Sequence, residues 1–254
     1  MHVEFAQQHI TSLFLAGSIQ QSTLIEILSI CNRVTCLFLV LSTRDFSIDG
    51  PSAPVWRALD ALPLKSLVLA VNANFTSSAS TLNVFQNLTH LEISDDRMLD
   101  RPNAALEGLS ALTHLCVALL LGRSNPLAVI RLIGNARLRL LVFRVIASHR
   151  RVWLFLDNHE IFDHRIVLLP ITLTNWAQLG HGDMLVWELA EELVNLPIDQ
   201  NKGHRCLSQI QLVNVYADYN DVDRDDEYEG HRCLSQRQLE KLHPEYIDVD
   251  MDDE

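Results

Sequence analysis

The sequence lacks the short motifs on which many enzyme active sites are built. It contains no Gly-x-Ser-x-Gly nucleophile elbow, no glycine-rich phosphate loop, no His-Glu-x-x-His helix and no Cys-x-x-Cys pair. Such motifs hold a nucleophile, a phosphate group or a metal ion in a fixed geometry. Their absence predicts a protein that is not an enzyme and that uses no cofactor and no metal ion.

The sequence also has no long apolar run. The densest one, residues 112–121, includes His114 and is far shorter than the roughly 20 residues that a membrane-spanning helix needs. The N-terminal region lacks the basic start, apolar core and small-residue cleavage site of a secretory signal. Five cysteines, an odd number, offer no disulfide framework. We therefore expect an intracellular protein, cytoplasmic or nuclear, that does not enter a membrane.

Basic residues are scarce at one end of the chain. The net charge is -12, and residues 218–254 contain fourteen acidic residues against four Lys or Arg. The other residues carry eighteen acidic and sixteen basic side chains, without the basic stripe that binds nucleic-acid phosphates. This distribution predicts that nucleic acid is not a partner and that residues 197–254 form an acidic, partly disordered tail.

What the sequence does contain is a repeat of six segments, each with the pattern apolar-x-x-Leu-x-apolar. Their central leucines are separated by 24, 30, 24, 24 and 26 residues. These spacings bracket the 20–29 residues of leucine-rich repeats. The segments are Ile10-Thr-Ser-Leu13-Phe-Leu15, Val34-Thr-Cys-Leu37-Phe-Leu39, Leu64-Lys-Ser-Leu67-Val-Leu69, Leu88-Thr-His-Leu91-Glu-Ile93, Leu112-Thr-His-Leu115-Cys-Val117 and Leu138-Arg-Leu-Leu141-Val-Phe143.

A short strand explains the pattern, because alternate side chains of a strand point to opposite faces. Leu91 and Ile93 would then enter the core while Glu92 faces outward. Stretches between the segments have the apolar spacing of helices. Residues 1–150 are therefore predicted to form an α/β fold, a short irregular leucine-rich-repeat solenoid of about six units with parallel strands on the concave face and helices on the convex face. A doubly wound α/β sheet is the alternative, since it also alternates strands and helices.

Residues 151–196 are predicted to cap this solenoid, whose last unit would otherwise expose an apolar face. Residues 152–156 and 166–169 are predicted as two strands, the second stopped by Pro170. A helix should begin after Asp183, and Trp176 and Trp187 should pack between that helix and the last strand. The apolar side of the helix is predicted from Met184, Leu185, Trp187, Leu189, Leu193 and Val194, and Glu188, Glu191 and Glu192 should face solvent.

Two polar segments raise the question of chemistry. The segment Gly-His-Arg-Cys-Leu-Ser-Gln occurs at residues 203–209 and again at 230–236. Its two histidines and two cysteines match the ligand types of zinc; a tandem duplication in a weakly constrained, solvated tail is the alternative. The polar cluster at residues 157–165 is predicted as a solvated loop between the cap strands rather than an acid/base site.

The outward strand positions are mostly apolar, and an apolar patch of several hundred Å² usually marks a partner site. We expect a protein or peptide ligand on the concave face, an expectation that cover by the chain's own tail would contradict. His90 and His114 hold equivalent positions and should stack about 5 Å apart. Shared ancestry of the repeats explains the pair most simply, and pH sensing or metal binding is the alternative. The candidate binding residues are Phe14, Phe38, Val40, Val68, His90, Glu92, His114, Cys116 and Val142.

The order of these features resembles the F-box-associated leucine-rich-repeat families of mushroom-forming (basidiomycete) fungi. The resemblance covers roughly residues 8–196. It is carried by residues 13–18 and 88–91, then by Leu169-Pro170, Trp176, Gly180, Gly182 and Trp187.

The resemblance implies a substrate-recognition module of a cullin-type ubiquitin ligase, with ubiquitin-ligase subunits among the partners. The sequence begins almost directly at the first repeat, which predicts a relative that lacks the F-box. A degenerate or truncated repeat protein without a partner is the alternative function, and an enzyme of unknown type is the third.

Overall fold

A computed structural model describes residues 3–41, 54–70, 82–94, 99, 106, 109–145, 149–170, 185–195 and 205–206. The chain divides into two units, residues 1–205 and 206–254, and only Cys206 of the second unit is described. Both copies of the duplicated segment apart from Arg205 and Cys206, the rest of the predicted acidic tail, and Trp176, Gly180, Gly182, Asp183 and Met184 lie outside the described residues.

Seven strands form one parallel sheet in the order in which they occur along the chain. The central leucines of the six predicted segments lie in register, so that each pairs with the leucine of the next unit. The α/β class and all six predicted strands are confirmed. The strands are β1 (Ser12–Gly17), β2 (Cys36–Leu41), β3 (Ser66–Ala70), β4 (His90–Ile93), β5 (His114–Leu119), β6 (Leu140–Val145) and β7 (Ile166–Pro170).

One helix precedes the first strand, and others occupy connections between the strands. They are α1 (Val3–His9), α2 (Gln21–Ile30), α3 (Pro54–Asp60), α4 (Asn83–Asn87), α5 (Pro126–Ile133) and α6 (His149–Asn158), and α7 (Leu185–Asn195) follows β7. A two-residue strand, Arg205–Cys206, comes last. Crossovers between parallel strands are almost always right-handed, which places successive helices on one side of a sequentially ordered sheet. The contacts of α1 with α2, α2 with α3 and α3 with α4 agree with this arrangement.

The sheet has two faces that differ in composition. We call the face that carries the central leucines the back face, and the face that carries Phe14, Phe38, Glu92 and their neighbours in register the front face. The leucines at the centres of β2–β6 are at most 1% exposed. Burial of a leucine side chain contributes about 1.5–3 kcal/mol, so the repeated leucine is the main source of the repeat's stability.

The backbone before each strand repeats as regularly as the leucines do. The N–H groups of Thr35, Lys65, Thr89, Thr113 and Arg139 each donate to the carbonyl of the equivalent residue one unit earlier, at 2.8–3.0 Å. The next N–H donates to the same carbonyl in every case. These bonds satisfy the peptide groups at the entrance of each strand, which would otherwise be costly to bury.

Residues 152–156 form part of α6, so the strand predicted there is wrong. Val152 and Leu156, four residues apart, are fully buried, whereas Leu154 between them is half exposed. Side chains four residues apart share one face of a helix, but a short run of apolar residues fits both a strand and a helix. The strand that follows, β7, is confirmed and extends the parallel sheet beyond residue 150.

The helix predicted after Asp183 is present as α7. Trp187, Leu189 and Leu193 are buried, and the three predicted solvent-facing glutamates are exposed. None of the helices within the described ranges is long and apolar enough to cross a membrane.

Candidate functional site

The predicted binding residues share the front face of the sheet. Phe14, Phe38, Val68, Glu92, Cys116 and Val142 form one row across β1–β6. His90 and His114 lie in a neighbouring row, and Val40 lies in register with Ala16 and Ala70. Because side chains alternate between the two faces of a strand, all nine candidate residues point to the same side. The sequence pattern thus predicted the membership of this surface.

The exposure of this surface was predicted wrongly. Six of the nine residues are buried, namely Phe38, Val68, Glu92, His114, Cys116 and Val142. The other three, Phe14, Val40 and His90, are half-buried. Of the nine candidate residues, those on β3–β6 are therefore buried apart from His90, and burial decreases toward β1 and β2. The open apolar face expected from the sequence is limited to that end of the sheet.

Helix α7 accounts for part of this burial, because it lies on the front face. It contacts β6 and β7, and the ring of Trp187 contacts His90 on β4 and His114 on β5 at centroid distances of 5.4 Å and 5.9 Å. Both contacts are edge-to-face, a favourable geometry for aromatic rings. The predicted packing of the helix against the last strand agrees with the contacts of α7 with β7. The ring of Trp187 also contacts the histidines of β4 and β5, which the sequence did not predict.

The histidine stack predicted from the repeat is confirmed. The rings of His90 and His114 are nearly parallel, with centroids 4.1 Å apart and an interplanar angle of 11°. Nε2 of His114 lies 3.0 Å from Oε1 of Glu191 on α7. Trp187 and Glu191 are four residues apart and share one face of that helix. Together they close over the stack.

Burial favours the neutral form of both histidines. It lowers the pKa of His90 to about 4, helped by the positive charge that His114 carries when protonated and opposed by the negative charge of Glu191. Burial also lowers the pKa of His114, although the hydrogen bond and charge of Glu191 oppose that change. Both rings are therefore uncharged at neutral pH. The geometry supplies two neutral imidazoles beneath a helix rather than a cationic site.

The front face also holds a buried ion pair that the sequence analysis missed. Both Nε and Nη2 of Arg144 on β6 lie 3.3 Å from Oε1 of Glu92 on β4. The two side chains are at most 5% exposed, and Cys116 of β5 lies between their strands. Burial tends to lower the pKa of Arg144, but the charge of Glu92 outweighs it and keeps the pKa raised. The sequence signal that could have indicated this ion pair is Arg144, a charged residue at an outward position of β6.

Cys116 is unsuited to nucleophilic chemistry. Burial, reinforced by the charge of Glu92, raises the pKa of its thiol well above the usual value. A reactive cysteine requires a lowered pKa and access to solvent. This thiol is fully buried, so it remains protonated.

The polar residues at 157–165 fall into two groups: some are exposed to solvent, and others form hydrogen bonds within the fold. Asp157, His159, Glu160 and His164 are exposed, as predicted for a solvated loop. Arg165 instead donates hydrogen bonds to the carbonyls of Ile133, Asn135 and Leu138 and to the carboxylate of Asp163. These bonds hold the segment that follows α5. Within the described ranges, no group of three or more His, Cys, Asp or Glu residues is arranged to bind a metal ion.

Comparisons with family models, curated proteins and solved structures found no match to this chain.

Proposed function

We propose that this chain is a leucine-rich-repeat solenoid that acts as a non-enzymatic protein-recognition module. The sequential order of the strands supports the solenoid, because a doubly wound sheet reverses its strand order part-way through the chain. The hydrogen bonds that link equivalent residues of successive units support it as well. Solenoids of this kind use an extended sheet face for binding.

The observation that carries the proposed function is the gradient of burial across the front face. Phe14 of β1 and Val40 of β2 are half-buried, whereas the candidate residues of β3, β5 and β6 are buried. The ring of Phe14 lies 6.4 Å from the buried ring of Phe38, so the accessible apolar surface at this end of the face is supplied by Phe14 and Val40. Aromatic side chains at the centre of an apolar patch are common anchors of protein interfaces. The ligand proposed for this surface is an apolar segment of a protein or peptide.

A role as the substrate receptor of a ubiquitin ligase is part of this proposal. It is supported by the resemblance of the repeats and of the Pro170-to-Trp187 segment to the F-box-associated families. Catalysis is disfavoured by the chemistry of the front face, where the histidines are enclosed by α7 and the Cys116 thiol remains protonated. Among the polar groups of this face that the structure describes, Glu92 pairs with Arg144 and His114 pairs with Glu191, so these groups are engaged in structural contacts.

The test places a photo-crosslinking amino acid at position 14 of the full chain in its native cell extract. We expect one dominant crosslinked protein, and we expect Val40→Asp to abolish that crosslink, because a carboxylate would be desolvated in the interface. The matched control is Leu127→Asp, which introduces the same charge at an apolar residue of α5 that is 60% exposed. The control should leave the crosslink unchanged.

Two results would contradict the proposal. Equal loss of the crosslink in Val40→Asp and Leu127→Asp would show that charge alone, rather than this surface, disturbs the interaction. Absence of any dominant crosslink at position 14 would favour the partnerless repeat protein. Recovery of ubiquitin-ligase subunits with the crosslinked complex would identify the proposed ligase role.

A further inference from the structure

The stacked histidines are built in the same way in two successive units. Thr89 precedes His90 and Thr113 precedes His114, and each threonine hydroxyl lies within 2.9 Å of Nδ1 of the histidine that follows it. Each hydroxyl also lies 3.1 Å from the carbonyl one unit earlier, on Lys65 or on Thr89. Every hydroxyl therefore has two possible acceptors for its single hydrogen.

This arrangement satisfies either charge state of the histidines. When a ring is neutral with its hydrogen on Nε2, the hydroxyl donates to Nδ1. When the ring is protonated, Nδ1 carries a hydrogen and donates to the hydroxyl, which then turns its own hydrogen to the carbonyl. Protonation of either ring therefore breaks no hydrogen bond at Nδ1. Its cost comes from burial beneath α7 and from placing two positive rings 4.1 Å apart.

We propose that α7 is a proton-released cover of the front face, closed while His90 and His114 are neutral and open when both are protonated. Opening uncovers the part of the face on β4 and β5 that Trp187 occupies. Any role of this opening in partner binding rests on the proposed function, because the uncovered surface adjoins Val68 and Phe38. The movement of α7 itself does not depend on the existence of a partner.

The charged groups around the stack set the order of events. Glu191 faces both rings from α7, and Arg139 faces His114 from the segment before β6. Glu92 in the neighbouring row and Arg144 one row further on are paired with each other. His114 takes the first proton because Glu191 stabilises its charge, and α7 stays in place. The second proton, on His90, meets a charged ring, and within the described ranges no carboxylate lies within hydrogen-bond distance of His90. Opening of α7 lets water hydrate both rings and screen this repulsion.

The expected size of the effect follows from linkage between protonation and opening. The pKa of His90 is about 4 in the closed state, compared with 6.5 for an unburied histidine. Lowering the pH from about 7.5 to about 5 should then favour the open state by about 30-fold through His90 alone. His114 acts in the same direction, because burial lowers its pKa too.

Hydrogen-exchange mass spectrometry of the full chain at these two pH values tests the proposal. The protection factor of the α7 amides, corrected for the intrinsic pH dependence of exchange, measures the opening of this helix. We expect it to fall by about 30-fold on acidification while the amides of β3 keep their protection. Unchanged protection of α7, or an equal fall in β3 that indicates global unfolding, would overturn the proposal. Neither result depends on capture of a partner.

Four variants, one of them a control, identify the trigger. His90→Gln/His114→Gln should remove most of the pH dependence of α7 protection, whereas His159→Gln, a change at an exposed histidine, should leave it intact. If the double variant does not fold, His90→Gln alone should remove most of the pH dependence of α7 protection. Glu191→Gln should still open on acidification, and by a larger factor, because Glu191 raises the pKa of both rings. Retained pH dependence in the histidine variant, or an α7 that is equally open at both pH values in Glu191→Gln, would overturn the histidine trigger.

Discussion

The guanidinium group of Arg144 on β6 contacts the carboxylate of Glu92 on β4 across the intervening strand β5, and both side chains are buried. Two charges that have been removed from water are stabilised only while they remain paired with each other. The ion pair therefore places a polar site on the front face, where Val68 and Val142, which lie in the same row as Glu92, are apolar.

Removal of one partner of this pair should strongly destabilise the chain. We expect Glu92→Ala or Arg144→Ala to lower the free energy of unfolding by about 3–5 kcal/mol, because each leaves an uncompensated buried charge. Urea denaturation followed by circular dichroism measures the change. The control Glu188→Ala removes an exposed carboxylate of α7 and should cost under about 0.5 kcal/mol.

Replacement of both partners should be far less harmful than removal of one. We expect Glu92→Leu/Arg144→Met to lie within about 1 kcal/mol of the native chain or to exceed it in stability, because apolar residues of similar volume avoid the desolvation penalty. The same urea titration checks this. A double variant as unstable as either single variant would show that the pair has no special coupling.

The sequence predicted the strands well because each repeat carries its own evidence. The alternation of side chains within one segment is enough to assign the central leucine of each unit to the back face. The spacing between units then sets the register of the strands, which places His90 against His114. Local pattern and neighbouring unit give the same answer, so little long-range information is required.

The position of α7 could not be predicted in this way. Its apolar face, with Trp187 at the centre, is equally suited to the end of a solenoid or to a sheet face. The choice depends on which surface offers complementary groups, here the two histidine rings and the Nε2 of His114 that faces Glu191. Such pairing across 77 residues leaves no periodic trace in the sequence. The missed partner of Glu92 has the same cause, since Arg144 belongs to a unit two strands away.

The hydroxyl of Thr113 should contribute more to stability than that of Thr35. Both hydroxyls lie within hydrogen-bond distance of the carbonyl one unit earlier, that of Thr89 and that of Thr11 respectively, but only the hydroxyl of Thr113 also lies within hydrogen-bond distance of Nδ1 of a buried histidine. We expect Thr113→Val to cost roughly 1 kcal/mol more than the matched change Thr35→Val, because Nδ1 of His114 loses its partner. Thermal or urea unfolding of the two variants measures the difference. Equal costs would show that the contact with His114 adds nothing.

The thiols of Cys36 and Cys116 should differ in reactivity. Cys36 is half-buried on the same face on which Cys116 is fully buried with a strongly raised pKa. Alkylation requires a thiolate that solvent can reach. We therefore expect iodoacetamide at about pH 8 to modify Cys36 well before Cys116, as followed by peptide mass spectrometry. Urea should abolish the difference between the two rates. Equal rates in the native chain would contradict the burial of the front face at β5.

Arg165 should be required to hold the end of α5. Its guanidinium donates to the carbonyls of Ile133, Asn135 and Leu138 and to the carboxylate of Asp163. We expect Arg165→Ala to cost about 2–4 kcal/mol, because three carbonyls lose the guanidinium donor, and the carboxylate of Asp163 loses its side-chain donor while keeping the backbone N–H of residue 165. Arg165→Lys should recover little, since an ammonium group does not reproduce the planar set of donors. Arg33→Ala is the control, because it removes one exposed bond to a carbonyl, that of Gln8.

The cost of Arg165→Ala should depend on pH in a defined direction. Burial alone would raise the pKa of Asp163, but its hydrogen bonds with Arg165 outweigh burial and lower the pKa below 3.8. An acid with a lowered pKa stabilises the folded chain above its unfolded pKa, and the contribution is lost as the pH falls through the folded value. The stability difference between the native chain and Arg165→Ala should thus be full at neutral pH and narrow below about pH 4. A difference that stays constant down to about pH 3 would show that the carbonyl bonds of Arg165, and not its pairing with Asp163, supply the effect.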